Sequence, residues 1–223
     1  DLNLNIVDGS SVWLVSFAKL LAKDMDNVVD ILLKEKITND ILIKDLIYLK
    51  NISLLNADEY IPSEKSVNTA NIVKVMKKID FVRDYSCIIV RGFNAVNTIV
   101  KDKQISDKLI PYLTDFCHDK NKISEAEVEQ LTYIYNNTKQ FFVQTTQMKQ
   151  YLEEVLNVDG NKFKLLNPMI FKEDLKLKPK MNKTIVYAGK IALGWNILEL
   201  IDIMDKLYQK DKEITLHFIG DKF

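Results

Sequence analysis

Short runs rich in Ile, Val and Leu alternate along the chain with longer stretches in which apolar residues recur every three or four positions. The short runs predict strands at Leu2–Val7, Val28–Leu33, Ile52–Leu55, Cys87–Val90, Ile110–Leu113, Phe141–Gln144, Phe163–Leu166, Thr184–Ala188 and Thr215–Ile219. The stretches between them predict helices with one buried stripe each, carried by Leu14, Phe17 and Leu21 in the first and by Ile197, Ile201, Met204 and Tyr208 in the last. Helix starts are marked by Ser10 and Ser11, by Ser66 ahead of a helix to about Lys78, by Ser124 with Glu127 as a capping box, and by Thr145 ahead of a helix through Leu156. A strand-helix string of this kind predicts an α/β fold, a Rossmann-like parallel sheet with helices on both faces.

The pattern changes after Asn167. Pro168 is followed by Lys172, Glu173, Asp174, Lys176, Lys178, Pro179 and Lys180 with little apolar periodicity, so residues 169–182 read as a linker. The expected organisation is a Rossmann-like domain over 1–168, the linker, and the beginning of a second such domain over 183–223.

Composition narrows the chemistry. With 47% hydrophobic and 28% charged residues the chain is an ordinary folding sequence. Thirty-one basic residues balance 31 acidic ones, so no net field points to nucleic acid. Arg83 and Arg91 are the two arginines, which limits bidentate anion clamps to two. Cys87 and Cys117 make neither a disulfide framework nor a four-ligand zinc set; both sit in apolar sequence typical of buried thiols, which suits a reducing cytoplasm. No run approaches the roughly 18 apolar residues that span a bilayer, and no signal peptide is visible. A soluble protein, at most peripheral to a membrane, is expected. The linker lysines could touch anionic lipid, although a solvated tether is the plainer reading.

Three places could carry chemistry. Asp8-Gly9-Ser10-Ser11 puts backbone N–H groups and hydroxyls at a helix start where a phosphate could sit, or is a plain turn. No G-x-G-x-x-G follows a strand, which disfavours a nicotinamide or flavin oxidoreductase or epimerase. The segment Pro111 to Asp119 puts a polar cluster just past the end of a predicted strand, at the sheet edge where open α/β folds bind ligands. There His118 could donate to a sugar or phosphate, share a proton with Asp115 or Asp119, or simply be solvated. Arg91-Gly92 ends another strand at the same edge and could meet an anionic ligand or be a surface arginine. A Cys117–His118 nucleophile pair is disfavoured by geometry, since neighbours on extended chain point to opposite sides. His217, inside an apolar strand, reads as structural.

Taken in order, these pieces resemble the group 1 glycosyltransferases, which have the GT-B fold. Asp8 to Leu14 looks like the family's small-residue loop and first helix; Phe141 to Leu152 looks like its late strand and helix; Lys162 to Pro168 looks like the strand before the domain crossing. Thr184-Ile185-Val186-Tyr187-Ala188-Gly189-Lys190 is similar to the strand that opens the donor domain, and Thr215 to Asp221 to the strand ending in glycine.

The resemblance implies transfer of a sugar from a nucleotide-sugar to a glycan, lipid-linked or protein acceptor, in polysaccharide or glycoconjugate synthesis. It implies a cytoplasmic site, at the inner face of the cell membrane if the protein is peripheral. Carried over by position, Gly9, Ser10, Gly189 and Lys190 approach the donor, His118 acts in catalysis, and Arg91 and Asp115 stand on the acceptor side. No cofactor and no obligatory metal are expected. Two departures matter: Gly194-Trp195-Asn196 occupies the place of the second donor cation, and the family's E-x7-E element is expected beyond Phe223. These 223 residues alone are therefore expected to lack transferase activity. The rival expectation is a degenerate homologue that binds without turnover.

Overall fold

The computed structural model describes residues 3–61, 68–69, 71–168, 183–189, 191 and 196–220. The chain divides into two compact units, Asp1–Phe171 and Lys172–Phe223. The expected linker 169–182, Ser66 and Lys190 all lie outside the described residues.

In the first unit, residues 3–7 form a turn where a strand was expected. Asparagine chemistry explains the difference. Asn3 Oδ1 accepts the Asn5 N–H at 2.9 Å, Asn5 Oδ1 accepts the N–H of Thr38 at 2.6 Å, and Asn5 Nδ2 donates to the Lys36 carbonyl at 2.9 Å. Side-chain amides replace a backbone ladder. Leu4 is buried, while Ile6 and Val7 are exposed.

Helix α1 (Gly9–Leu21) starts earlier than its serines suggested, because Asp8 is the N-cap and accepts the Ser11 N–H at 2.8 Å. Strands β1 (Val29–Leu33) and β2 (Ile52–Asn56) pair in parallel, Val29 opposite Ile52. Helix α2 (Ile72–Arg83) leads to β3 (Ile88–Arg91), then come α3 (Phe93–Ile99), the short α4 (Lys103–Ser106) and β4 (Leu109–Tyr112). Helix α5 (Glu125–Asn136), β5 (Phe141–Val143), α6 (Thr146–Leu156) and β6 (Phe163–Leu165) complete the unit. Strands β3, β4, β5 and β6 form one parallel sheet in that order. Parallel neighbours require crossovers, and the helices supply them.

The main core lies between this sheet and α3, α5 and α6, where Ile99, Leu131, Ile134, Phe141 and Leu152 are fully buried. Capping fixes where the helices begin. Thr145 Oγ1 accepts the Met148 N–H at 3.1 Å, as expected. Ser124 Oγ accepts the Glu127 N–H at 3.2 Å, but the return arm of that capping box is diverted: Glu127 Oε1 accepts the Cys117 N–H at 2.6 Å. The thiols differ from expectation, Cys87 being exposed and Cys117 half-buried.

The second unit is β7 (Thr184–Ala188), α7 (Ile197–Lys210) and β8 (Thr215–Ile219), with β7 and β8 parallel and Thr184 opposite Thr215. The expected buried stripe of α7 is not buried, Ile201 and Tyr208 being nearly half exposed, because two strands offer too little surface to cover a helix face. His217 stands opposite Val186 in the ladder and is exposed.

Candidate functional site

Parallel α/β sheets bind ligands beyond the carboxyl ends of their strands. In the first unit this edge gathers Arg91, Tyr112, Thr114, Asp115 and Gln144, with Trp13 reaching in from α1. Arg91 ends β3, and its Nη2 donates to Thr114 Oγ1 at 3.0 Å. Its guanidinium carbon lies 6.0 Å from the centroid of the Trp13 ring, which stacks on Tyr112 at 4.4 Å with 14° between the planes. Tyr112 is fully buried; burial raises its phenol above the usual range, while a hydrogen bond with Gln144 and the Arg91 charge oppose the rise. The edge is thus built on an arginine, an indole and a neutral phenol packed together.

Arg91 and Asp115 are both at this edge, and each is already engaged. Gly92 precedes α3 with φ 106°, a conformation that favours glycine, and cannot cap the helix with a side chain. Asp115 supplies the cap from the neighbouring loop, accepting the Phe93 N–H at 2.9 Å.

The loop beyond Asp115 is pinned from two helices. Glu127 of α5 holds the Cys117 N–H, and the Tyr151 hydroxyl of α6 donates to the Cys117 carbonyl at 2.8 Å. His118 is exposed and stacks on Phe116 at 4.4 Å. Among the described residues no hydrogen bond joins it to Asp115 or Asp119; Asp119 instead pairs with Lys122 at 3.1 Å and accepts the Asn121 N–H, which holds its carboxyl below the usual range. The imidazole is therefore oriented by aromatic stacking rather than by a carboxylate.

At the α1 terminus, Gly9 is exposed with open space around it, and no described group accepts the first-turn N–H groups of Gly9 and Ser10. The Asp8 carboxylate already occupies the positive end of the helix. An anion there must share the terminus with Asp8. In the second unit, Gly189 follows β7 and donates its N–H to the Ile219 carbonyl at 2.9 Å. A Cβ on Gly220 would stand 1.8 Å from the Gly189 carbonyl oxygen, so glycine is required where these two strand ends meet.

A cleft of about 330 Å³ lies between β1 and β3 in the first unit, lined by residues of α1 and α2. Three buried polar atoms on its walls lack partners: Trp13 Nε1, Asp30 Oδ1 and Arg91 Nε. The other Asp30 oxygen accepts the Tyr85 hydroxyl at 2.5 Å and pairs with Arg83 at 3.2 Å, and burial together with that carboxylate pushes the Tyr85 phenol up. Sequence reading missed Trp13 and Asp30 as parts of this site. The signal for Asp30 was visible: one acid inside Val29-Asp30-Ile31-Leu32-Leu33.

Among the described residues no His, Cys, Asp or Glu cluster gathers as a metal site, and no helix is long and apolar enough to cross a membrane. No family model matches the chain, and no curated protein does. Solved structures match its fold. Anabaena Alr3699/HepE, solved in complex with UDP and glucose, superposes with a TM-score of 0.65 at 11% identity, over 100% of this chain and 60% of that one. A Listeria monocytogenes protein designated a UDP-N-acetylglucosamine 2-epimerase superposes at 0.57 and 12% identity, over 96% of this chain and 60% of its own. The fold is Rossmann-like α/β of the GT-B kind. The chain spans about three-fifths of the length of these two structures.

Proposed function

We propose that the chain belongs to a nucleotide-sugar enzyme, a glycosyltransferase that moves a sugar from a nucleotide-sugar to a glycan, lipid-linked or protein acceptor in polysaccharide or glycoconjugate synthesis. The observation that supports it most is the fold shared over the full chain with a protein that holds UDP and glucose. In this reading the donor-binding residues are Gly9 and Ser10, with their open N–H groups, together with Gly189 and Lys190. Charge building on the leaving diphosphate is then met by fixed N–H dipoles and an ammonium, without an obligatory metal or other cofactor. His118 donates to the reacting sugar, and the Arg91 edge with Asp115 receives the acceptor. The enzyme would work in the cytoplasm, peripheral to the inner face of the membrane where the acceptor is lipid-linked.

Two alternatives have an observation each. The likeness to the Listeria protein favours epimerisation of a nucleotide-sugar. The sequence Gly194-Trp195-Asn196 in the place of the second cation favours a non-catalytic binder. Incubating the full-length gene product with UDP-sugars and analysing the products separates them. Transferase action gives free UDP and a glycosylated acceptor, epimerase action gives an isomeric UDP-sugar, and binding alone leaves the donor unchanged.

A further inference from the structure

The loop after β4 carries an exposed histidine, and an exposed side chain on a loop ordinarily samples several orientations. Around His118 the polypeptide is instead held from both sides. The Cys117 N–H donates to Glu127 Oε1 at 2.6 Å, and the Cys117 carbonyl, which belongs to the peptide bond into His118, accepts the Tyr151 hydroxyl at 2.8 Å. One bond comes from α5 and the other from α6, so both peptides that flank Cys117 are fixed to helices. Tyr151 also acts through its ring. It lies 6.2 Å from the imidazole with 21° between the planes, beside the 4.4 Å contact of His118 with Phe116, which is itself buried in the main core.

We propose that Tyr151 and Glu127 are positioning residues for His118, which hold its imidazole in one orientation at the carboxyl edge of the sheet. The consequence for turnover rests on the reading above, in which His118 donates to the reacting sugar. Three observations support the assignment. Glu127 forgoes the local return arm of its capping box, and its carboxylate serves the loop instead. A bond to an ionised acceptor is stronger than one between neutral groups, which suits a clamp. Tyr151 stays a donor at neutral pH, because burial first, and then the nearby Cys117, Glu127 and Asp119, raise its phenol above the usual value. Finally, the carboxylates of the loop are engaged elsewhere: among the described residues Asp115 accepts the Phe93 N–H, and Asp119 pairs with Lys122 and accepts the Asn121 N–H. What orients the ring therefore comes from α5, α6 and Phe116. Holding a reactive group in place before substrate arrives removes an entropic cost from the transition state.

The test compares three variants of the full-length gene product: Tyr151→Phe, which keeps the ring and removes the hydroxyl, Glu127→Ala, and Glu127→Gln, whose amide oxygen still accepts the Cys117 N–H. UDP release from UDP-sugars gives kcat and KM. Proton NMR reads the imidazoles, with His118→Ala assigning the His118 signals and His217 serving as reference. The proposal expects Tyr151→Phe and Glu127→Ala to lower kcat about 10-fold with KM for the donor little changed, and to move the His118 ring signals while those of His217 stay in place. Glu127→Gln should keep most of the turnover. In a His118→Ala background Tyr151→Phe should cost nothing further, because it acts through the missing imidazole. Unmoved His118 signals overturn the proposal, as does an equal further loss in the His118→Ala background, or full turnover of Tyr151→Phe and Glu127→Ala beside an impaired His118→Ala. Full turnover of His118→Ala, or no UDP release by the wild-type protein, contradicts the catalytic reading of His118 instead, and the ring signals then decide the positioning by themselves.

Discussion

The Asp8 carboxylate accepts the Ser11 N–H and lies at the same helix terminus as the open amides of Gly9 and Ser10. Replacing it with alanine should therefore act in two directions. Stability should fall by about 1 kcal/mol through loss of the cap, read by urea denaturation, while affinity for UDP should rise as a negative charge leaves the terminus. Weaker UDP binding would place the diphosphate elsewhere. His118 carries a second prediction. Because it is exposed and stacked, His118→Ala should lower turnover of the full-length gene product about 100-fold with little change in melting temperature, and unchanged turnover would make it a solvated loop residue. Asp102 governs a third. It accepts from Lys77 at 2.9 Å and from the N–H groups of Gln104 and Ile105, and the Lys77 bond above all holds its carboxyl below the ordinary range. A carboxyl lowered by folding stabilises above its unfolded value of about 3.9 and loses that contribution as pH falls through the folded value. Asp102→Ala should thus destabilise at pH 7, and the gap from wild type should narrow in melts as pH is taken below the unfolded value.

Elements owe their boundaries to these side chains, which is why some were legible and others were not. Strand β7 and the Thr145 cap were readable because apolar runs and capping residues act locally. The turn at residues 3–7 was not, because Asn5 finds its partners at Lys36, Thr38 and Asn39, over thirty positions away. Likewise the capping-box reading of Glu127 was local, whereas its carboxylate serves Cys117 across a loop. Asn51 shows what such long-range bonds do for an element. Its Nδ2 donates to the carbonyls of Ala22 and Asn27, both at 3.0 Å, and to that of Asp24 at 3.3 Å, closing the turn between α1 and β1. Asn51→Leu leaves buried carbonyls unmet and should cost about 2 kcal/mol; a melt shifted by less than a degree would show that water replaces the amide.

At the scale of the molecule, alternating strands and helices announced the α/β class, and the structural matches agree with it. The carboxyl-edge position of Arg91 and Asp115 followed from their place after predicted strands. Their actual engagements, with Thr114 and with the start of α3, depend on how loops cross and had no sequence signal. The cleft between β1 and β3 was equally silent, since strand order is a property of tertiary pairing. The central claim is that this fold serves a nucleotide-sugar, and calorimetric titration of the full-length gene product with UDP and a panel of UDP-sugars tests it most directly. Saturable one-site binding of UDP and at least one UDP-sugar, with a dissociation constant between about 1 μM and 1 mM, is the predicted result. Absence of heat for every nucleotide at millimolar concentration, from protein that melts cooperatively, would contradict it.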